Sequence, residues 1–114
     1  MITRAHRFHG HNSLRPTYQK GRPVYSANVK LLYAPAQKQT YRVAVVVSKK
    51  VHKSAVARNR IRRRVYEQVR TYMKSDSKQL DLVFIVQSPQ LATMPASDVA
   101  AELTSLLQKA TSSV

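Results

Sequence analysis

Five arginines lie within seven residues, Arg58 to Arg64, a short distance after a strand-like apolar run, Val43 to Val47. The basic step Ser48-Lys49-Lys50 follows that run directly. A guanidinium presents planar donors that match a phosphate, and each neutralised phosphate releases condensed counterions. The cluster therefore indicates a nucleic-acid partner, RNA or DNA, and it constrains the chain to a fold that keeps these cations on a surface.

The charge is unevenly distributed along the chain. There are 20 Lys and Arg against 5 Asp and Glu, a net charge of +15, and no acidic residue precedes Glu67. The part before Glu67 is a cationic surface, whereas the remainder is close to neutral. Like-charge repulsion of this kind is relieved when an anionic partner binds.

The length and composition indicate one domain over 1–114. With 114 residues and 43% hydrophobic content the chain can bury one modest core, which leaves no room for a separate catalytic domain. The absence of cysteine excludes disulfides, thiolate metal sites and cysteine nucleophiles. No apolar stretch is long enough to span a membrane, and the first residues lack the apolar region of a signal peptide, so we expect a cytoplasmic protein.

The first part of the chain predicts an arm, a helix and two strands. Residues 1–12 are expected to form an irregular arm, and 13–20 a short helix capped by Ser13 or Asn12 and stopped at Gly21. Strands are predicted over Val24 to Tyr33 and Thr40 to Val47. The short polar segment 35–39 predicts that these strands form a hairpin.

The second part predicts two helices around a strand. Ser54 is a candidate N-cap for a helix over Ala55 to Met73, and Leu80 to Val86 reads as a strand buried on both faces. Thr93 or Ser97 is the candidate cap of a helix that ends near Ala110. The order α-β-β-α-β-α indicates an α/β domain of the α+β type, with one mixed sheet covered by helices.

The basic helix has a buried stripe and an outward cationic face. Steps of about 100° from Ile61 place Val65 and Val69 in the stripe. Arg58 and Arg62 fall on the flank nearer the sheet. The amide of Asn59 both donates and accepts, so it can orient a neighbouring guanidinium. The residues predicted to lie opposite the stripe are Asn59, Arg60, Arg63 and Arg70.

These blocks resemble the signature of a known family. Ser48-Lys49-Lys50, Ala55 and Arg58-Asn59-Arg60-Ile61-Arg62-Arg63 closely resemble the bacterial ribonuclease P protein subunit, and Lys20-Gly21-Arg22 matches its upstream block. The resemblance covers nearly the whole chain. It implies a four-stranded sheet with a left-handed β-α-β crossover through the basic helix, where sequence alone favours a right-handed connection.

The resemblance also implies a function. The family's protein joins a large catalytic RNA that removes the 5′ leader of precursor tRNA with bound Mg²⁺, and the protein holds the leader in a cleft. The metal is then held mainly by the RNA and the substrate. The resemblance implies that the RNA-binding residues are Lys49, Lys50, Arg58, Asn59, Arg60, Arg62 and Arg63. Lys53 and Arg64 are further RNA-binding candidates in the same basic region. The predicted leader-cleft residues are Leu14, Tyr18, Leu32 and Tyr33.

The sequence departs from the family pattern at several positions. Leu14 replaces an aromatic four residues before Tyr18, and Tyr66 replaces an Arg late in the helix block. The aromatic of the first long strand aligns with Leu32 or Tyr33, and a shift of one residue places the two on opposite faces of the sheet.

Catalysis by the protein itself is not predicted. Two-metal phosphodiester cleavage needs carboxylates gathered around the ions, and the five acids are scattered along the chain. His6, His9 and His11 have no acid or cysteine nearby, so we assign no metal site. A non-catalytic RNA-binding protein, such as a ribosomal protein or RNA chaperone, is the alternative function, and a DNA-binding protein is disfavoured because no helix-turn-helix or finger pattern is present.

Overall fold

The computed structural model describes residues 21–35, 41–73 and 80–112. These residues form four strands, two α-helices and one 3-10 helix. The strands are β1 (Arg22–Tyr25), β2 (Val29–Pro35), β3 (Arg42–Val46) and β4 (Leu80–Val86), and the helices are α1 (Ala55–Met73), the 3-10 helix (Pro89–Ala92) and α2 (Ala96–Ser112). The arm predicted over 1–12 and the helix predicted over 13–20 lie outside the described residues.

The four strands form one mixed sheet in the order β1-β2-β4-β3. β4 pairs antiparallel with β2 and parallel with β3, so α1 is the crossover between two parallel neighbours. The predicted hairpin between the second and third strands is therefore wrong. β4 separates them because its nearly continuous apolar run is best covered in the centre of the sheet, as its burial on both faces shows. The handedness of the crossover stays a prediction.

The strand predicted over Val24 to Tyr33 is in fact a hairpin. β1 and β2 pair antiparallel with Tyr25 opposite Lys30, and Ala27 and Asn28 form the turn. The Ser26 N–H donates to the Val29 carbonyl at 2.9 Å, and the Ser26 hydroxyl oxygen accepts from the Val29 N–H at 3.2 Å. Ser-Ala-Asn is a short polar break between apolar runs, a turn signal that the β-branched and aromatic residues around it obscured.

Both helices cover the same face of the sheet. The stripe of α1 is buried as predicted and includes Ile61, Val65 and Val69. It packs with the buried face of α2 and with alternate strand residues such as Phe84 and Tyr33 in one continuous core. The predicted helix bounds of α1 are confirmed. Neither α1 nor α2 combines the length and the apolar content that a membrane-spanning helix needs.

The start of α2 differs from the prediction. Thr93 ends the 3-10 helix, and Ser97 lies within α2. The Pro95 carbonyl accepts the first helical hydrogen bonds, from the N–H groups of Asp98 and Val99 at 3.0 and 3.1 Å. Neither Thr93 nor Ser97 is therefore the N-cap of α2. The 3-10 helix that precedes α2 places Pro95 at the position from which the helix begins.

Candidate RNA interface

The loop between β3 and α1 carries exposed lysines and is fixed by backbone hydrogen bonds. The Ser48 carbonyl accepts from the N–H groups of Val51 and His52, at 3.1 and 3.4 Å, which forms a tight turn. His52 Nδ1 then accepts from the Ser54 N–H at 3.1 Å. The exposed side chains that this loop presents are Ser48, Lys49, Lys50 and Lys53.

The start of α1 is capped as the sequence predicted. The Ser54 hydroxyl accepts from the Ala57 N–H at 3.2 Å. Arg58 Nη1 donates back to the carbonyls of His52 and Lys53, both at 2.9 Å, and so ties the loop to the helix. A guanidinium has five donors, so Arg58 can hold the loop and still meet a phosphate.

The outward face of α1 presents the predicted cations. Asn59, Arg60 and Arg63 are exposed, whereas Arg62 is half-buried on the flank. Arg62 Nη1 donates to Asn59 Oδ1 at 2.7 Å, so the amide orients a neighbouring guanidinium as predicted. Because Asn59 uses its carbonyl oxygen on Arg62, its NH₂ group remains the donor that it can offer to an RNA acceptor.

Arg64 has a structural role that the sequence did not reveal. Its Nη1 donates to the carbonyls of Leu91 and Met94, at 3.1 and 2.6 Å, and the side chain is half-buried. The bonds attach α1 to the segment that leads into α2. Spacing on α1 cannot reveal these acceptors, because they come from residues 27 and 30 positions further along the chain.

A groove of about 490 Å³ lies between α1 and α2. Arg60, Arg63 and Arg64 line one side, and the small side chains of Ala96 and Ala100 contribute to the other. Further along the same groove the α1 and α2 side chains bond to each other, because Gln68 Nε2 donates to the Thr104 hydroxyl at 3.1 Å. The basic end of the groove adjoins the outward face of α1.

The cations of the interface are not neutralised within the part of the chain that the structure describes. The ion pairs there are Arg42 with Asp81 and Arg70 with Glu67, at 2.8 and 2.9 Å. Neither pair includes a cation of the loop or of the Arg58 to Arg64 block. Like charges held together on one exposed face without carboxylates produce a strong positive potential, which attracts a polyanion.

Comparison with known proteins identifies the family. The model of the family described as Ribonuclease P matches residues 2–111. A ribonuclease P protein component of Chloroflexus aurantiacus is 36% identical over 109 residues, which cover 96% of this chain and 80% of that protein. One from a Synechococcus strain is 32% identical, with coverages of 96% and 85%. The chain belongs to the ribonuclease P protein family.

Solved structures of ribonuclease P proteins share the fold. The protein of Staphylococcus aureus has a TM-score of 0.82 at 24% identity, covering 94% of this chain and 96% of that chain. The protein of Thermotoga maritima has a TM-score of 0.74 at 22% identity, with coverages of 84% and 93%. The expected compact α+β domain with a four-stranded mixed sheet is thereby confirmed.

Membership of the ribonuclease P family establishes the general activity. The chain is an RNA-binding component of a ribonucleoprotein endoribonuclease that acts in tRNA 5′ processing. Catalysis is a property of the ribonucleoprotein, and none is assigned to this chain alone.

The predicted leader-cleft residues fall on different faces of the sheet. Tyr33 lies in the core beneath the helices, whereas Leu32 is buried outside that core, opposite Val83. We call the strand residues that point away from α1 and α2 the second sheet face. Its members are Pro23, Tyr25, Lys30, Leu32, Ala34, Arg42, Ala44, Val46, Asp81, Val83 and Ile85. Leu14 and Tyr18 lie outside the described residues.

One ion pair is built into the second sheet face. Arg42 and Asp81 are register partners on β3 and β4, and the guanidinium donates through Nε and Nη2 to the two carboxylate oxygens, at 2.9 and 2.8 Å. The hydrogen bond to Asp81 raises the pKa of Arg42. Both carboxylate oxygens of Asp81 therefore already accept a hydrogen bond from Arg42.

Proposed function

We propose that this protein binds the catalytic RNA of ribonuclease P through the loop of Lys49, Lys50 and Lys53 and the outward face of α1. The observation that supports the proposal most directly is the set of exposed cations on this surface without a carboxylate partner among the described residues. The bonds of Arg58 to the loop and of Arg62 to Asn59 order the side chains before binding, which lowers the entropic cost of association.

The proposed substrate is precursor tRNA, whose single-stranded 5′ leader would lie on the second sheet face. The alignment supports this placement, because the family's strand aromatic aligns with Leu32 or Tyr33 and only Leu32 lies on this face. Leu32 itself is buried, so the partly exposed Lys30, Ile85 and Val46 of the same face would make the contacts. In this arrangement the catalytic RNA contacts the outward face of α1, and the leader contacts the side of the sheet that points away from α1. A protein with this role would act in the cytoplasm.

The residues described here do not fit a Mg²⁺ site. No group of three or more His, Cys, Asp or Glu converges within the described ranges, and Asp81 and Glu102 are already hydrogen-bonded to other residues. We propose that the RNA and its substrate hold the Mg²⁺ used in cleavage. The contribution of this chain is to bind and orient RNA, which makes cleavage less dependent on high Mg²⁺.

The decisive experiment is cleavage of a precursor tRNA by a bacterial ribonuclease P RNA at low Mg²⁺, with and without the protein. We expect cleavage at the mature 5′ end only when the protein is present, and about tenfold or greater impairment by Arg60→Ala, because a charge-assisted phosphate contact contributes about 1.5–3 kcal/mol. High Mg²⁺ should largely restore the activity. Lys109→Ala on α2 removes the same charge outside the interface and should leave cleavage unchanged.

Two outcomes would contradict the proposal. The first is a protein that has no effect on cleavage at any Mg²⁺ concentration. The second is an Arg60→Ala variant whose thermal stability falls in step with its activity, since that would give Arg60 a structural role.

A further inference from the structure

Tyr25 is the most exposed tyrosine in the described part of the chain. Its side chain is 58% exposed, whereas Tyr33, Tyr41 and Tyr66 are at most 9% exposed. It lies on β1, which is an edge strand of the sheet. An aromatic ring in this position offers a flat apolar surface that the fold itself does not bury.

Tyr25 is accompanied by a cation. The Lys30 ammonium lies 5.6 Å from the centre of the Tyr25 ring, within the range of a cation–π contact. The two are register partners on β1 and β2, so the hairpin fixes their separation. An exposed ring stacks on an unpaired base, and an ammonium beside it neutralises the adjoining phosphate.

The pair begins a row that crosses the second sheet face to the basic loop. Register places Tyr25 beside Lys30, then Ile85, then Val46, all on this face. With neighbouring strands about 4.8 Å apart, the row is about 14 Å long. Lys30, Ile85 and Val46 are partly exposed, and β3 continues from Val46 into the loop that holds Lys49 and Lys50. Leu32 lies one pleat away on the same face.

We propose that Tyr25 and Lys30 form a binding site for one unpaired nucleotide of the 5′ leader at the β1 edge of the sheet. The base stacks on the Tyr25 ring, and Lys30 contacts the backbone phosphate. The site extends the leader path away from the basic loop, across the whole width of the sheet. It rests on the proposed function, because the ligand is the leader of the same precursor tRNA.

The test measures the affinity of the reconstituted holoenzyme for precursor tRNAs whose leaders are shortened one nucleotide at a time, and for mature tRNA. Tyr25→Ala should weaken binding of the long-leader substrate by about tenfold, while Tyr25→Phe should bind like the wild type, because the ring face makes the contact. The loss should disappear once the leader is too short to reach β1, and mature tRNA should bind equally to all variants. Gln108→Ala, on the exposed side of α2, is the control for removing a side chain away from this site.

The contribution of Lys30 can be measured separately, through the salt dependence of binding. Lys30→Met keeps most of the aliphatic stem and removes the charge, so it should weaken binding of the long-leader substrate by a few-fold. It should also reduce the slope of log affinity against log salt by about 0.7, the value for one phosphate contact on a single strand. Tyr25→Ala should leave that slope unchanged.

The outcomes separate this site from the proposed function. If the wild-type protein supports cleavage at low Mg²⁺ but Tyr25→Ala binds every substrate like the wild type, the nucleotide site is wrong and the proposed function stands. An equal loss for long-leader, short-leader and mature tRNA would also overturn the site, since the contact would then be to the catalytic RNA or the tRNA body. If the wild-type protein itself fails to support cleavage, the proposed function fails.

Discussion

Glu102 on α2 and Asn28 in the turn between β1 and β2 are joined by two hydrogen bonds. One carboxylate oxygen accepts from the Asn28 backbone N–H and the other from its side-chain amide, both at 2.8 Å. The Ser26 hydroxyl donates to the same carboxylate. Asn28 is 6% exposed, so Glu102 satisfies polar groups that the turn would otherwise bury without partners. This contact attaches α2 to the hairpin that carries Tyr25 and Lys30.

The first prediction concerns this attachment. Glu102→Ala should lower the free energy of unfolding by about 1–3 kcal/mol, because it leaves the buried Asn28 N–H without an acceptor and the side-chain amide with only the weakly accepting Met94 sulfur. Glu102→Gln retains one acceptor oxygen and should cost less. Urea or thermal unfolding measures both changes. Equal stabilities of the alanine variant and the wild type would show that water replaces the carboxylate.

The helices of this fold were more predictable than the pairing of its strands. The bounds of α1 follow from Ser54 and from the spacing of Ile61, Val65 and Val69, which are local signals. The position of β4 between β2 and β3 depends on which strand most needs burial on both faces, a property of the whole sheet. A one-residue shift decides which of Leu32 and Tyr33 lies in the core beneath the helices, and the observed register places Tyr33 there.

The sequence predicted the exposed cations of the candidate interface but not the hydrogen bonds within it. The charge pattern is sufficient to find the exposed cations of α1. The Arg64 contacts depend on carbonyls of the segment around Leu91 and Met94, which contacts α1 only in the folded protein. The tertiary role of Glu102 likewise cannot be read from the sequence, in which the five acids are scattered along the chain.

The second prediction concerns the Asn59–Arg62 bond. Asn59→Ala and Arg62→Ala should each weaken binding to the catalytic RNA, and the double variant should lose less than the sum of the two. The expected coupling energy is about 0.5–3 kcal/mol, the range for residues in direct contact. A double-mutant cycle of RNA affinity measures it. Strict additivity would mean that the bond does not persist in the complex.

The third prediction separates the structural and RNA-binding contributions of the arginines. Arg64→Met should lower the free energy of unfolding by about 1–3 kcal/mol, because the Leu91 and Met94 carbonyls lose a charged donor. Arg63→Met, its exposed neighbour on the same helix, should leave stability nearly unchanged and weaken RNA binding. Thermal unfolding and RNA affinity are measured on both variants. The reverse pattern would contradict the assignment.

The fourth prediction is that phosphate-like anions stabilise the free protein. A ligand that binds only the folded state at 100 times its Kd adds about 2.7 kcal/mol. Pyrophosphate should therefore raise the melting temperature more than chloride at matched ionic strength, and less so in an Arg60→Ala/Arg63→Ala double variant. Equal effects of both anions would indicate general screening of charge.

The fifth prediction concerns Tyr41, which is 2% exposed in the core beside β3. Burial raises the pKa of its hydroxyl, and nearby Arg70 lowers it in part. The folded state thus holds this proton more tightly than the unfolded chain, whose tyrosines titrate near pH 10. The resulting stability is fully present below about pH 10 and is lost as the pH rises through the raised pKa, by at most about 1.4 kcal/mol for each pH unit.

Tyr41→Phe is the matched variant, because phenylalanine fills nearly the same volume and has no proton to lose. The free energy of unfolding of the wild type and the variant should differ by a constant below about pH 9. Above about pH 10 the free energy of unfolding of the wild type should fall faster than that of the variant, so the variant gains stability relative to the wild type. Urea unfolding across this range measures the difference. Parallel curves throughout would show that the Tyr41 hydroxyl titrates alike in the folded and unfolded states, and that burial does not penalise its charged form.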